Sequence, residues 1–191
     1  MAGQTTNYLF DYPTSTDYVK DGATAIQTLA TDVDTTLFTA LGGNYPGLRL
    51  VKKQTIGSAV SSVTVTSAFS ATYDAYKIIV TGGSTGSQAS VSLQLGSTTT
   101  GYYEVRPNCT FAGVLSANAT NNGSSFNVGQ VYSSGALVND EIINPFLSTA
   151  TQHATSLFSG GTSRMDQSFG YLNNSTSYTA FTLSFSAAVT G

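Results

Sequence analysis

The chain has 191 residues, only 9% of them charged, and a formal net charge of −3. Its seven Lys and Arg are spread along the length and form no basic patch for nucleic acid, and no apolar run approaches the roughly 20 residues of a membrane-spanning helix. A hydrophobic content of 40%, with 11 Tyr and 10 Phe, is ample for a packed core and excludes a wholly disordered chain.

The first segment, residues 1–15, reads as an extended arm. It carries Tyr8, Leu9, Phe10 and Tyr12, and Pro13 biases Tyr12 to an extended backbone. Four large apolar side chains in so short a segment need another surface: either the rest of this protein or a neighbouring molecule, and docking on a neighbour is the expectation. MAGQTTNYLFDYP has neither the basic start nor the apolar core of a secretory signal, so synthesis in the cytoplasm is expected, in keeping with a single cysteine, Cys109.

A helix is predicted next, within residues 16–43. Ser15 or Thr16 can cap it, and Asp17 and Asp21 suit its positive end. Val19, Ala23, Ile26, Ala30, Val33, Leu37 and Leu41 recur at spacings of three and four, a narrow stripe with Leu29 beside it. Polar residues such as Thr24, Thr28, Asp32 and Thr35 take the other side, and Gly42-Gly43 ends the pattern. Threonines and Gly22 make this a weak helix on its own, so it needs a partner. The partner is either the sheet of its own domain or the same helix of sister chains. The seam-like spacing, the position ahead of the sheet domain and the glycine-rich break after it favour an oligomerisation helix.

Residues 44–50 read as a linker and 51–191 as a sheet domain, because from Leu48 onward the hydrophobic period becomes two. Ser62–Thr66 and Ser90–Leu95 alternate, and Phe181, Leu183, Phe185, Ala187 and Val189 share one face of the last long run. Tyr76–Thr81 is continuous enough to suggest a more central strand. Gly82–Ser87 reads as a hairpin loop, and further Gly and Asn pairs punctuate the series. Eight or nine strands and no second helix predict a mainly β fold: an antiparallel β-sandwich of jelly-roll type preceded by one N-terminal α-helix.

Catalytic patterns are thin. His153 is the lone histidine, and none of the many serines stands in a nucleophile-elbow glycine pattern. One Cys and one His cannot furnish a zinc site within one chain, so no metal and no cofactor are expected. Asp32 and Asp34 diverge on the helix, while Asp140-Glu141, in VNDEII, reads as a pair of solvated acids at a turn. The Asn-x-Ser/Thr triplets at Asn108, Asn118, Asn122 and Asn174 fit chance in a chain so rich in these residues. The remaining prospect is surface recognition. Tyr102, Tyr103, Tyr132 and Tyr171 lie in or beside loop-like segments, and tyrosine among Ser, Gly and Asn suits recognition, including that of sugars. For each of them, filling the core is the competing reading.

Two stretches carry a resemblance. NYLFDYPTSTDYVKDGATAIQTLATDVDTTL resembles a short N-terminal module of bacteriophage virion and tail-associated proteins. FSATYDAYKIIVTG with VSLQLGS, and later EIINPFLSTATQHATSLFSGG, resemble a β-sandwich module of phage structural proteins. The resemblance implies a non-enzymatic virion component, self-associating and often trimeric, in contact with other virion proteins. As a tail fibre or spike it would attach to host-surface glycan. As a head-decoration or collar component it would stabilise the particle. A polysaccharide-degrading enzyme with a site between subunits is the alternative from a different functional class.

Overall fold

The computed structural model describes residues 3–6, 9–14, 18–40, 47–158 and 164–191. The chain divides into two compact units, Met1–Val51 and Lys52–Gly191.

In the first unit the arm is a small hairpin. Strands β1 (Gly3–Gln4) and β2 (Asp11–Tyr12) pair antiparallel, Gly3 opposite Tyr12. Gln4 Nε2 donates to Asp11 Oδ1 (2.9 Å), and Thr5 N donates to Phe10 O (3.0 Å). The arm is therefore folded locally rather than extended, because its turn supplies its own backbone partners. A 3-10 turn, Val19–Asp21, then runs without a break into helix α1 (Gly22–Ala40). Gly22 is right-handed helical (φ −60°, ψ −39°), so the helix begins in register with the turn.

The second unit is mainly β, in agreement with the expectation from the sequence. Its strands are β3 (Val60–Val65), β4 (Ala75–Gly82), β5 (Ala89–Leu95), β6 (Tyr102–Thr110), β7 (Leu115–Gly123), β8 (Phe126–Tyr132), β9 (Gly135–Ile143), β10 (Thr151–Phe158), β11 (Arg164–Leu172) and β12 (Phe181–Val189). All of the pairings between them are antiparallel, in the order β3-β12-β5-β8-β9-β10-β11-β6-β7, with β4 on the free side of β9. The sheet is continuous through hydrogen bonds, and β9 is where it forks. One edge of β9 pairs with β4 from Ala136 to Ile143. The other edge pairs with β8 up to Val138 and with β10 from Asp140 onward. The two branches diverge there and face each other across the core.

The fork has visible chemistry. Thr155 Oγ1 donates to Asn139 O (2.7 Å), with Val128 O at 3.4 Å, so one hydroxyl serves the carbonyls that the parting strands leave behind. Gly129 is required beside it: a Cβ there would stand 2.5 Å from Val138 Cγ2 and 2.7 Å from Leu137 O.

The β12 alternation appears as read from the sequence, with Phe181, Leu183, Phe185 and Val189 buried and Ala187 packed against them. They meet Val91, Leu93 and Leu95 of β5 and Phe126 and Val128 of β8 in one core. Two expectations change. The run Tyr76–Thr81 belongs to an edge strand, since β4 pairs with β9 alone among the described residues and leaves Ile79 61% exposed. Gly82–Ser87 is not a hairpin loop: β4 and β5 do not pair with each other, so this segment carries the chain from the strand beside β9 to the branch that holds β8, anchored by Ser84 opposite Thr190.

Candidate functional site

The helix stripe is the first candidate. No residue of α1 is buried. Val19 is 98% exposed, Ile26 64% and Leu37 56%; Ala23 and Ala30 are exposed as well, and Val33 is half-buried. Phe38, one position beyond the stripe, is another exposed apolar side chain. The half-buried positions Gly22, Ala25, Thr28, Leu29, Asp32, Val33 and Thr36 lie to one side, and β2 is the strand packed on this helix. An apolar stripe thus stands open beside a face that the arm covers. Leu41 falls outside the described residues. In the arm, Tyr8 also lies outside them, Leu9 and Tyr12 are exposed, and Phe10 is half-buried.

The four tyrosines separate by strand parity. Tyr102 and Tyr103 are neighbours on β6 and point to opposite faces. Tyr102 is wholly buried, its hydroxyl accepting from Leu95 N (2.8 Å) and donating to Thr98 O (3.2 Å). Burial pushes that hydroxyl up to about 12, so it stays neutral. Tyr132 is buried too, its hydroxyl on Gln130. Both are core residues and neither is available to bind at a surface; each completes the interior because its hydroxyl finds a partner there. Tyr103 and Tyr171 do lie on the outer face, opposite one another on β6 and β11, stacked at 5.1 Å between centroids and 11° between planes.

That outer face is unusually apolar. Across β7, β6 and β11, Ala119 stands opposite Val105 and Val105 opposite Phe169, while Leu115 stands opposite Cys109 and Cys109 opposite Met165. Val105, Phe169, Leu115 and Met165 are all exposed. The inner face of the same strands holds the polar groups Glu104, Asn108, Asp166 and Ser168. The usual polarity of a half-buried sheet is inverted here.

The inner polar groups centre on His153. Its Nδ1 lies 3.1 Å from Asp140 Oδ1 and its Nε2 lies 3.2 Å from Ser168 Oγ. Glu104 Oε2 is 3.8 Å from the same Nε2, and Glu104 Oε1 is 2.8 Å from Arg106 Nε, an ion pair rather than an aligned hydrogen bond. Glu104 Oε2 also accepts from Asn127 N. The imidazole stacks on Phe126 of the opposite branch at 4.2 Å. Glu104 reaches His153 across an intervening strand because Gly170 stands between them. It is paired with both, and a Cβ there would lie 3.2 Å from His153 Cδ2 and collide with Tyr103 O.

The order Ser168–His153–Asp140 is that of a serine-hydrolase triad. The serine and the aspartate are fully buried, however, and the histidine is 3% exposed. Ser168 lies within a strand, not on a sharp turn with amide donors for an oxyanion. As folded, the group ties β6, β9, β10 and β11 together and offers no approach to a substrate. Asp140 and Glu141 are likewise not a pair of solvated acids: both lie within β9, Asp140 buried and Glu141 exposed on the other face. No group of His, Cys, Asp and Glu among the described residues could hold a metal ion.

Burial raises Asp140 above the ordinary carboxylate range, against the opposing hydrogen bond from His153. Its Oδ2 has no hydrogen-bond partner. A folded-state value above the unfolded one means that the folded protein binds more protons than the unfolded chain between the two, so this group removes stability as pH rises through that window. Asp140→Asn keeps an acceptor for His153 and removes the charge. It is expected to stabilise the sheet unit by about 1–2 kcal/mol at pH 7, with the gain fading as pH falls through that window and gone by the ordinary Asp value near 4. Thermal melts of both proteins from pH 4 to 8 check this, and a loss at pH 7 would contradict it.

No protein-family model matches the chain, and no curated protein or solved structure does either. No helix among the described residues is long and apolar enough to cross a membrane.

Proposed function

We propose that this chain is a non-enzymatic, self-associating structural protein of a bacteriophage virion, with copies joined through the N-terminal helix and the sheet unit presented outward for attachment to host-surface glycan. The observation that carries self-association is the open apolar stripe on α1, where Ile26 and Leu37 stand in water on a helix with no buried residue. A helix of 19 residues, rich in threonine, gains little from its intrinsic propensity and most from packing. The virion role rests on the resemblance of residues 7–37 and of the sheet segments to phage modules. Tyr103 and Tyr171 on the exposed face of β6 and β11 support a recognition surface there.

The inverted polarity of that face favours a second reading, a head-decoration or collar component. A broad apolar surface with Val105, Phe169, Met165 and Leu115 suits contact with another protein better than contact with a sugar. Sedimentation equilibrium of the intact chain tests the shared premise: a mass that rises above the monomer with concentration is expected, and a monomer at every concentration would refute self-association. Immunolabelling of intact particles separates the readings, tail for the first and head for the second.

A further inference from the structure

The α1 stripe has a symmetry of its own. Val19 and Leu37 lie nine residues either side of Thr28, Ala23 and Val33 lie five either side, and Ile26 and Ala30 lie two either side. We infer that the occupant of this stripe is a second copy of the same helix running in the opposite direction, so that the assembly unit is an antiparallel pair centred on Thr28. The inference rests on the proposed self-association and adds the direction and the number of copies, two rather than the three that the resemblance implies.

Packing favours this direction. In an antiparallel pair centred on Thr28, each layer joins unlike residues: Val19 meets the partner's Leu37, Ala23 meets the partner's Val33, and Ile26 meets the partner's Ala30. Large faces small in the two inner layers, which keeps the spacing between helices even. In a parallel pair in register, Ala23 and Ala30 would each meet themselves and Ile26 would meet itself. Wide and narrow layers would then alternate, with voids at the alanines.

Charge points the same way. Lys20 and Asp34, fourteen residues apart, lie on one flank of the stripe, since this separation is close to four turns. A two-fold axis across the helices brings like flanks together, whereas one along them brings opposite flanks together. In the antiparallel pair Lys20 therefore falls beside the partner's Asp34, about 3 Å from it along the axis, and symmetry makes two such pairs. In the parallel pair both charges would face the flank of Gly22, Ala25 and Leu29, which is already half-covered. In the single chain the Lys20 ammonium lies 5.3 Å from the Tyr18 ring centroid. Rim pairs of this kind add little affinity and set orientation.

Disulfide trapping tests the direction, in the full chain with Cys109→Ser and one copy carrying a size tag. Val19→Cys mixed with Leu37→Cys is expected to give the mixed cross-link in large excess over either self-link. A dominant Val19→Cys self-link would overturn the antiparallel direction, and an oligomer that yields no cross-link would overturn the stripe as its interface. A chain that sediments as a monomer would instead refute the self-association beneath both. Independently, Lys20→Glu is expected to weaken association about two- to fivefold, and adding Asp34→Lys to the same chain is expected to restore it. Failure of the second change to restore association would remove the charge pairing.

Discussion

His153→Ala is expected to lower the stability of the sheet unit by about 3–5 kcal/mol, the range for removing one partner of a buried charged network. The imidazole is the donor that faces Asp140 Oδ1, it lies 3.8 Å from Glu104 Oε2, and it fills the space beneath Phe126. Without it, Asp140 Oδ1 loses its side-chain donor and Glu104 keeps Arg106 and Asn127. A cavity opens against Phe126 as well, and stacked ring contacts are lost. The double variant His153→Ala with Asp140→Asn is expected to recover part of the loss, because the orphaned charge is gone while the cavity remains. Denaturant unfolding of the three proteins measures both quantities. A loss below 1 kcal/mol would show that the network is not holding the four strands together.

Ile26→Asp together with Val33→Asp is expected to weaken self-association at least about a hundredfold, close to 3 kcal/mol. Each substitution places a carboxylate in an apolar seam with no cation facing it, and a two-fold assembly doubles the number. Neither position is buried in the single chain, so the sheet unit is expected to melt at an unchanged temperature. Sedimentation equilibrium read beside calorimetry separates the two effects. An unaltered oligomer would remove the stripe as the assembly element.

The legible parts of this chain were those where a local period reports a face. β12 reads directly, since every second residue from Phe181 to Phe185 enters the core. The helix reads for the same reason at its own period. What failed locally was anything set by register. β4 has an aliphatic run as dense as a central strand's, yet its place at an edge depends on which strands reach β9. Tyr102 and Tyr103 are indistinguishable in sequence; parity places one in and one out, and the inner neighbours Glu104 and Asn108 make the inward face look like the outward one. Asp140-Glu141 resembled a turn because two adjacent acids are rare inside a strand. The partners of His153 come from three other strands, so nothing near it in the chain announces Asp140, Ser168 or Glu104. The glycine that lets Glu104 reach across, Gly170, carries no signal except its identity.

The place of β12 has a consequence for how the protein is made. β12 lies between β3 and β5, pairing Phe181 with Val65 on one side and with Leu95 on the other. Those two strands emerge from the ribosome early and have no sheet partner in each other. Until β12 is made, β3 has no sheet partner among the described strands, and β5 is paired on one edge only, with β8. Contacts this distant in sequence make closure slow and late, and the waiting strands are the segments by which nascent chains would stick to one another. Insertion of β12 closes one edge of β3 and one edge of β5 at once.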